Sequence, residues 1–279
     1  MEARLSLKDA SFRYTDRDLF SGLNLDVAEG EVLCLLGPNG CGKTTLLRCL
    51  NGTLRLREGR IRLNGKDLTS LSVVEIAREM GFVFQEHTTL FPYSVLEVVR
   101  MGRSPHLGFF SSPSKVDTKI AEAALEMVGI GHLRGKPYTQ ISGGERQLAL
   151  IARALAQEPR IMLLDEPTSH LDFGNQILIL ETVGRLARER GLSIVMTTHF
   201  PNHAMMISTR VALMKGGCFM AVGEPRDVMT EANLQLLYGV PVKVICMEDG
   251  VSNGARYVVP LMQGDETFSI APAAHKSIG

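Results

Sequence analysis

The chain has 279 residues, which is long enough to bury a large core and to form one or two domains. Its 30 basic and 30 acidic residues give a formal net charge of +0, which argues against a nucleic-acid-binding protein, because phosphate contacts usually need an excess of basic side chains. No run approaches the ~20 apolar residues that cross a bilayer, and no signal peptide is recognisable. The five cysteines are scattered without metal-ligand spacing, so we expect a protein of the reducing cytosol.

The first part of the chain contains segments that alternate apolar and polar residues, as half-buried strands do. Leu5–Asp9 and Leu23–Val27 show this period, and Gly59–Leu68 repeats it around a predicted Asn64-Gly65 turn. We expect these segments to form a small antiparallel sheet beside the main core.

A glycine-rich loop follows the first two of these segments, with regular structure predicted on both sides of it. The apolar run Glu31–Leu36 before the loop is typical of a strand buried on both faces, and Thr44–Leu50 after it has helical spacing. This context favours a phosphate-binding loop over a turn with a solvated lysine. The loop residues are Gly37, Pro38, Asn39, Gly40, Cys41, Gly42, Lys43, Thr44 and Thr45.

This phosphate loop matches the pattern G-x-x-x-x-G-K-[ST], whose chemistry suits a polyphosphate. Glycines lack the Cβ that would block close approach, so backbone N–H groups can wrap the phosphates, and the helix N-terminus adds partial positive charge. Lys43 would reach the β- and γ-phosphates, and the Thr44 hydroxyl would bind Mg²⁺. The sequence therefore predicts a nucleotide site.

The stretch from about residue 86 to 157 differs in character from its surroundings. It follows a predicted strand, Gly81–Gln85, and contains predicted helices at Asp117–Val128 and Leu148–Ala156. We interpret it as a helical insertion between the strands of an α/β core.

The segment Ser142–Gln147, with the sequence SGGERQ, is a second glycine pair that leads into a helix. Ser142 and Glu145 have the spacing of a capping box, so the segment could simply begin that helix. A helix N-terminus of this kind can also receive a phosphate. The residues alone leave both interpretations open.

Two buried strands, Arg160–Leu164 and Ser193–Thr197, are predicted after the insertion, with a helix around 175–190 between them. The first strand ends in Asp165 and Glu166. A carboxylate at such a strand end can hold Mg²⁺, which suits Asp165, while Glu166 can polarise an attacking water. An acid pair can also cap a turn, but the neighbouring phosphate loop favours the catalytic interpretation.

These motifs occur in the order found in the ATP-binding subunits of ABC transporters, which the chain resembles over roughly residues 1–240. The resemblance rests on the phosphate loop, on the signature segment Ser142–Gln147 and on the acidic strand end. It implies an α/β fold, with a P-loop NTPase (RecA-like) core, an antiparallel β subdomain and an α-helical subdomain inserted at about 86–157. Residues 241–279 would form a C-terminal extension, to which we assign no role.

The resemblance also implies roles for single residues. Glu166, His199 and Gln85 would be catalytic, with His199 as a switch that senses the γ-phosphate and Gln85 as a lever between the core and the insertion. Tyr14 would stack on adenine, and Asp172 would end the nucleotide-site loop that follows the catalytic glutamate. The Mg²⁺ ligands would be Thr44, Gln85 and Asp165.

In this family two subunits meet head to tail, and each ATP lies between one subunit's phosphate loop and the other's signature segment. Ser142, Gly143 and Gly144 would therefore act on the γ-phosphate bound by the partner. The resemblance thus implies a homodimer that uses ATP and Mg²⁺ and hydrolyses ATP efficiently only when the two subunits are together.

Since no membrane-spanning segment is predicted, the transporter's permease should be a separate chain, as in importers. Tyr93–His106 and Leu171–Gln176 resemble the subgroup that serves iron-siderophore, haem and cobalamin uptake, whereas Thr197–His203 fits molybdate or tungstate importers at least as well. The implied function is the ATPase subunit of a metal-chelate importer. It would lie at the cytoplasmic face of the cell membrane, peripheral through the permease, with an extracytoplasmic substrate-binding protein as an indirect partner.

Two other classes of protein share parts of this pattern. ABC ATPases that act on ribosomes or DNA usually carry two cassettes or a long coiled-coil insertion, and this chain shows neither. A P-loop kinase for a small molecule would leave the signature segment and His199 unexplained.

Overall fold

The computed structural model describes residues 3–84, 93–108, 111–247 and 254–261. Strands and helices alternate through most of this length, as expected for an α/β protein. In chain order they are β1 (Leu5–Arg13), β2 (Asp18–Val27), β3 (Val32–Leu36), α1 (Lys43–Leu50), β4 (Glu58–Leu63), β5 (Lys66–Asp67), α2 (Val73–Glu79), β6 (Met80–Val83), α3 (Val95–Arg100), α4 (Lys115–Met127), α5 (Gly143–Leu155), β7 (Ile161–Leu164), α6 (Phe173–Arg190), β8 (Ser193–Thr198), α7 (Pro201–Ile207), β9 (Arg210–Lys215), β10 (Cys218–Gly223), α8 (Pro225–Val228), α9 (Glu231–Tyr238), β11 (Val242–Cys246) and β12 (Arg256–Pro260).

A six-stranded sheet in the order β10-β9-β3-β8-β7-β6 forms the centre of the molecule. Five of its strands are parallel, and β10 at the edge pairs antiparallel with β9. Strands β3, β7 and β8 are buried along their whole length, which explains the uninterrupted apolar sequences of β3 and β7 and the apolar centre of β8. The parallel register places Leu36 beside Thr198 and Leu164 beside Met196, so the carboxyl ends of these strands meet at one edge.

A second sheet in the order β2-β1-β4-β5 is antiparallel, and it packs on one face of the central sheet. Asn64 and Gly65 connect β4 to β5 with φ of 49° and 77°, the left-handed backbone that such a hairpin turn requires. Leu33 and Leu35 of β3 pack with this sheet, whereas Cys34 packs with the helices on the opposite face. The predicted α/β fold class is confirmed.

Helices α3, α4 and α5 pack on one another in the inserted stretch. Each begins with a capping box, formed by Ser94 with Glu97, Ser114 with Asp117, and Ser142 with Glu145. The α5 helix starts at Gly143, as the capping-box spacing of Ser142 and Glu145 indicates, and before the start at Leu148 that apolar periodicity predicts. Its first turn contains the glycine pair, and apolar periodicity does not predict a helix there because glycine has no apolar side chain.

Helices α8 and α9 and the β11–β12 hairpin follow the central sheet. The strand Arg256–Pro260 pairs antiparallel with Val242–Cys246. Val242 and Val258 are buried, so one face of this hairpin belongs to the main core.

A close contact between the segment after α3 and the backbone of α5 can be tested at Gly102. A Cβ at this position would lie 2.1 Å from the Arg153 carbonyl oxygen, which is backbone and cannot rotate away. We expect Gly102→Ala to lower the free energy of unfolding by about 1–3 kcal/mol, the usual effect of overpacking. Urea denaturation followed by circular dichroism would measure the change.

Gly135 in the same stretch provides the matched control. A Cβ there would meet no atom within 4 Å, and the backbone does not have a positive φ. Gly135→Ala should leave stability unchanged or raise it by about 0.4–1 kcal/mol. Equal denaturation midpoints for the two variants would contradict the close packing of Gly102 against the Arg153 carbonyl oxygen.

Candidate nucleotide site

The phosphate loop connects β3 to α1 and depends on glycine at defined positions. A Cβ at Gly37 would lie 2.2 Å from the Met214 carbonyl oxygen of β9, so a side chain does not fit. Gly42 caps α1 with φ of 106° and offers no side chain to the first-turn N–H groups. The first turn of α1 also lacks acidic residues. Within the described part of the chain, no side chain caps the start of this helix, so its first-turn N–H groups can face an anion in the loop.

Lys43 places its ammonium group inside this loop. Nζ donates to the carbonyl oxygens of Gly37 (2.8 Å) and Pro38 (3.1 Å), and it lies 3.6 Å from Oε1 of Glu166. The residue is 5% exposed, so water screens its charge weakly. A cation held at this position can contact a polyphosphate that the loop N–H groups bind.

Asp165 follows β7 and accepts two hydroxyl hydrogen bonds at one oxygen. Thr44 donates to Oδ1 at 3.0 Å, and Thr197 donates to the same atom at 2.8 Å. Burial raises the pKa of this carboxyl, while the two hydroxyl hydrogen bonds oppose the rise. A hydroxyl and a carboxylate are oxygen donors of the kind that Mg²⁺ prefers, so the residues fit this ion.

Among the described residues, no group of three or more His, Cys, Asp or Glu side chains could hold a metal ion. Proteins usually bind Mg²⁺ through one or two carboxylates together with substrate phosphates and water. Gln85, the third predicted ligand, lies outside the described residues.

Glu166 has partners different from those of Asp165, although the two acids are adjacent. Its backbone φ is 45°, and its N–H donates to Oγ1 of Thr197 at 2.9 Å. Its Oε2 accepts a hydrogen bond from Ser169 at 2.9 Å and lies 3.2 Å from Nδ1 of His199. The carboxylate is thus fixed beside Lys43 and His199, where it could act on a water molecule.

His199 lies at the end of β8 and starts a row of three aromatic rings. The ring of Phe200 is 4.0 Å from His199 and 4.8 Å from His203, measured between centroids. His203 is 7% exposed, and its Nδ1 lies 3.2 Å from Oγ1 of Thr168 in the loop after Glu166. The segment after β8 therefore contacts the segment after β7 at two places.

Tyr14 lies beside the phosphate loop with much of its ring in solvent. The residue is 62% exposed, and its hydroxyl lies 3.3 Å from Oγ1 of Thr45. The ring meets Phe12 edge to face, with centroids 4.8 Å apart. An exposed aromatic ring at this distance from the loop is suitably placed to stack on a base.

The signature segment lies apart from the phosphate loop, next to the start of α6. Gly144 contacts Asn175 so closely that a Cβ would lie 2.1 Å from its Oδ1. Asn175 in turn donates to the Asp172 carboxylate through its N–H (2.9 Å) and its side-chain amide (2.7 Å). These two hydrogen bonds lower the pKa of Asp172. Asp172 therefore caps α6 and joins the signature segment rather than the phosphate loop.

A cavity of about 380 Å³ lies at the phosphate loop, and signature residues do not line it. The structure thus brings together Lys43, Thr44, Asp165, Glu166 and His199. It places Ser142, Gly143, Gly144 and Asp172 at a different surface. The lining residues are Tyr14, Leu19, Asn39, Gly40, Gly42, Lys43, Thr44, Thr45 and Glu166.

Three residues of the site were not singled out in the sequence. Thr197, Ser169 and Thr168 each use a hydroxyl to fix an acid or a histidine. Their only sequence signal is their position, next to an acid pair or at the end of a buried strand. Burial raises the pKa of the Cys41 thiol in the loop, which favours its protonated form, while Lys43 opposes the rise.

A sequence model of the family described as ABC transporter matches residues 20–169, from β2 through the loop after Glu166. The chain belongs to the ABC transporter family. Among characterised relatives, it is similar to the molybdate import ATP-binding protein MolC of Haemophilus influenzae, with 40% identity over 243 residues, 87% of this chain and 90% of MolC. It is also similar to the ferric enterobactin transport ATP-binding protein FepC of Escherichia coli, with 35% identity over 259 residues, 93% of this chain and 94% of FepC.

Among solved structures, the chain is similar to one from an ABC transporter assigned to the metal-chelate type, in an inward-facing conformation. The TM-score is 0.83 and the identity 37%, over 94% of this chain and 98% of the other. The predicted resemblance is confirmed: the chain is an ATP-binding subunit of this family, and it hydrolyses ATP. Within the described residues, no helix of this ABC subunit is both long enough and apolar enough to span a membrane.

The buried His203 of the ABC subunit predicts a pH dependence of stability. Burial lowers its pKa, and the nearby His199 lowers it further, from an ordinary value of 6.5. In the unfolded chain the imidazole binds a proton as pH falls through 6.5, whereas the folded chain resists protonation. This group therefore lowers the stability of the protein below that pH, by at most about 1.4 kcal/mol per pH unit.

The variant His203→Gln removes this titration and keeps a group that can hydrogen-bond to Thr168. Urea denaturation at about pH 8 reports the packing effect alone, because His203 is then neutral in both the folded and the unfolded chain. Between about pH 8 and about pH 5.5 the wild-type protein should lose more stability than the variant. Parallel pH profiles for the two proteins would refute the prediction.

Proposed function

We propose that two copies of this chain form a head-to-tail dimer in which each ATP is completed by the partner's signature segment, and that hydrolysis powers uptake through a separate permease. The observation that carries the proposal is the division of the site residues. Lys43, Asp165, Glu166 and His199 line one surface, while the signature segment lies at another. One chain thus offers two incomplete halves, which a head-to-tail pair would join.

In this proposal Glu166 is the general base for the attacking water. The Ser169 hydroxyl and the His199 ring fix its Oε2, and Lys43 lies 3.6 Å from its Oε1. Lys43 binds the phosphate oxygens, and His199 senses the γ-phosphate beside the glutamate. When bound, Mg²⁺ supplies charge stabilisation of the phosphates, held by Thr44, Asp165 and Gln85. Tyr14 stacks on the adenine.

The signature segment can serve its proposed role because of how α5 begins. The capping box uses the N–H groups of Ser142 and Glu145. The N–H groups of Gly143 and Gly144 belong to the first turn, where an α-helix supplies no partner of its own. They can therefore donate to a phosphate bound by the other subunit.

A groove of about 310 Å³ between α2, β6 and α5 supports docking of a permease. Val73 and Phe84 line it with largely exposed apolar side chains, and Arg153 and Gln157 add polar groups. The apolar, proline-broken run Thr88–Val99 begins four residues after Phe84, and we include it in the proposed permease contact, although residues 85–92 lie outside the described part. The chain would be held in this way at the cytoplasmic face of the membrane.

The cargo we propose is a metal chelate, namely iron-siderophore, haem or cobalamin, delivered by an extracytoplasmic binding protein. The similarity to FepC and to the structure of the metal-chelate type supports this choice. The similarity to MolC supports molybdate or tungstate as the second candidate. The cargo is not expected to touch this chain, so its own residues do not separate the two.

We expect Glu166→Gln to reduce hydrolysis by about 10²–10⁴-fold, because the amide keeps the size of the side chain but cannot act as a base. ATP binding should survive, and the lost negative charge should ease approach of the two subunits. The variant should therefore form a dimer with Mg-ATP that persists in gel filtration. A phosphate-release assay would measure hydrolysis, and a rate near that of the wild type would rule out Glu166 as the base.

Two further variants separate binding from dimer closure in the same assays. Lys43→Ala should weaken ATP binding itself and give no dimer. Ser142→Arg should bind ATP in the monomer, because its own phosphate loop is intact, but should not dimerise. Loss of ATP binding in the Ser142→Arg monomer would argue against the head-to-tail arrangement.

The cargo can be identified from the whole transport system. A tagged chain should co-purify in mild detergent with a polytopic permease, and the binding protein of that system should carry iron or cobalt in elemental analysis. Molybdenum or tungsten on the binding protein would instead establish the second candidate. Co-purification with ribosomes or DNA and no membrane protein would overturn the importer function.

A further inference from the structure

The last described part of the chain returns to the switch histidine. The hydroxyl of Tyr238, at the end of α9, donates a hydrogen bond to the backbone carbonyl oxygen of His199 at 3.0 Å. Burial raises the pKa of Tyr238, so this hydroxyl keeps its proton and remains a donor across the physiological range. The C-terminal region therefore contacts the peptide that carries the switch side chain.

A second contact clamps the same segment three residues later. Asn202 in the first turn of α7 donates from Nδ2 to the Val258 carbonyl oxygen at 3.2 Å. The N–H of Val258 donates back to Oδ1 of Asn202 at 2.7 Å. A side-chain amide that bonds both groups of one residue allows little rotation. The β12 strand is thereby fixed to the helix that begins directly after His199.

Helix α9 and the β11–β12 hairpin, which make these two contacts, are also joined to each other. The carboxylate of Glu231 in α9 accepts the N–H of Val244 in β11 at 3.1 Å. Lys215 of β9 donates to the carbonyl of Leu236 in α9. Helix α9 and the hairpin therefore form one unit that is attached to the central sheet and touches the switch segment from outside.

We propose that α9 and the β11–β12 hairpin brace the switch, with Tyr238 and Asn202 as positioning residues that hold the His199 ring beside Glu166. The inference rests on the proposed function of His199 at the γ-phosphate. Tyr238 fixes the carbonyl end of the His199 peptide, and Asn202 fixes the start of α7. Together these two contacts set the direction of the His199 ring, whose Nδ1 lies 3.2 Å from Oε2 of Glu166. This gives α9 and the two strands of the hairpin a role in hydrolysis.

Tyr238→Phe removes one hydroxyl and tests the brace directly in the full-length chain with Mg-ATP. A neutral hydrogen bond is worth about 0.5–1.5 kcal/mol, which corresponds to a decrease in kcat of about 2- to 10-fold. The KM for ATP and ATP binding should stay within about twofold, because the phosphate loop is untouched. Asn202→Ala should act in the same direction.

A double-mutant cycle with His199→Ala separates positioning from a general structural effect. If Tyr238 acts through the histidine, Tyr238→Phe should change the single-turnover rate of the His199→Ala protein by less than about twofold. Tyr257→Phe, in the same hairpin, provides the matched control and should hydrolyse ATP at the wild-type rate. Thermal denaturation should show Tyr238→Phe to be folded.

The outcomes that overturn the brace are distinct from those that overturn the proposed site. A slow His199→Ala protein beside an unaffected Tyr238→Phe protein would overturn the brace alone. The brace would also be overturned if Tyr238→Phe lowered the single-turnover rate equally in the wild-type and His199→Ala proteins. A His199→Ala protein that hydrolyses ATP at the wild-type rate would overturn the role of His199, and the brace with it.

Discussion

The hydroxyl of Thr197 donates to Asp165 at 2.8 Å and accepts the backbone N–H of Glu166 at 2.9 Å, and the rest of the site depends on this pair of bonds. The second bond helps to hold Glu166 at φ of 45°, a backbone that an ordinary residue adopts at a cost of about 1–3 kcal/mol. Because the backbone turns at Glu166, the carboxylates of Asp165 and Glu166 face different groups. Asp165 faces the Thr44 hydroxyl, and Glu166 faces Lys43 and His199.

The same pair of bonds shows where sequence reasoning succeeded and where it stopped. The phosphate loop and the buried strands could be predicted because each is a local pattern of glycine spacing or uninterrupted apolar residues. The importance of Thr197 could not, because it depends on the parallel register between β7 and β8, which pairs Leu164 with Met196. Tyr238 and Asn202 are a stronger case, since their partners lie 39 and 56 residues away and no local pattern connects them.

The two interpretations of the signature segment, as a helix cap and as a phosphate site, do not compete in the structure. Ser142 and Glu145 form a complete capping box, which fixes where α5 begins. The N–H groups of Gly143 and Gly144 then point along the axis from the first turn. The absence of a side chain at Gly144 is also required for packing, because Asn175 occupies that space. Packing against Asn175 and the proposed contact with the partner's phosphate therefore constrain the same glycine.

Hydrogen bonds from other parts of the chain hold several residues of the segment Thr197–His203 in place. Thr197 bonds to both acids, His199 to Tyr238 through its carbonyl, Asn202 to Val258, and His203 to Thr168. Each neutral hydrogen bond contributes about 0.5–1.5 kcal/mol. Coupling between communicating sites typically amounts to about 1–3 kcal/mol, which is the size of one or two of these bonds. Under the switch role proposed for His199, a bound nucleotide would need to supply only about this much energy to move the ring.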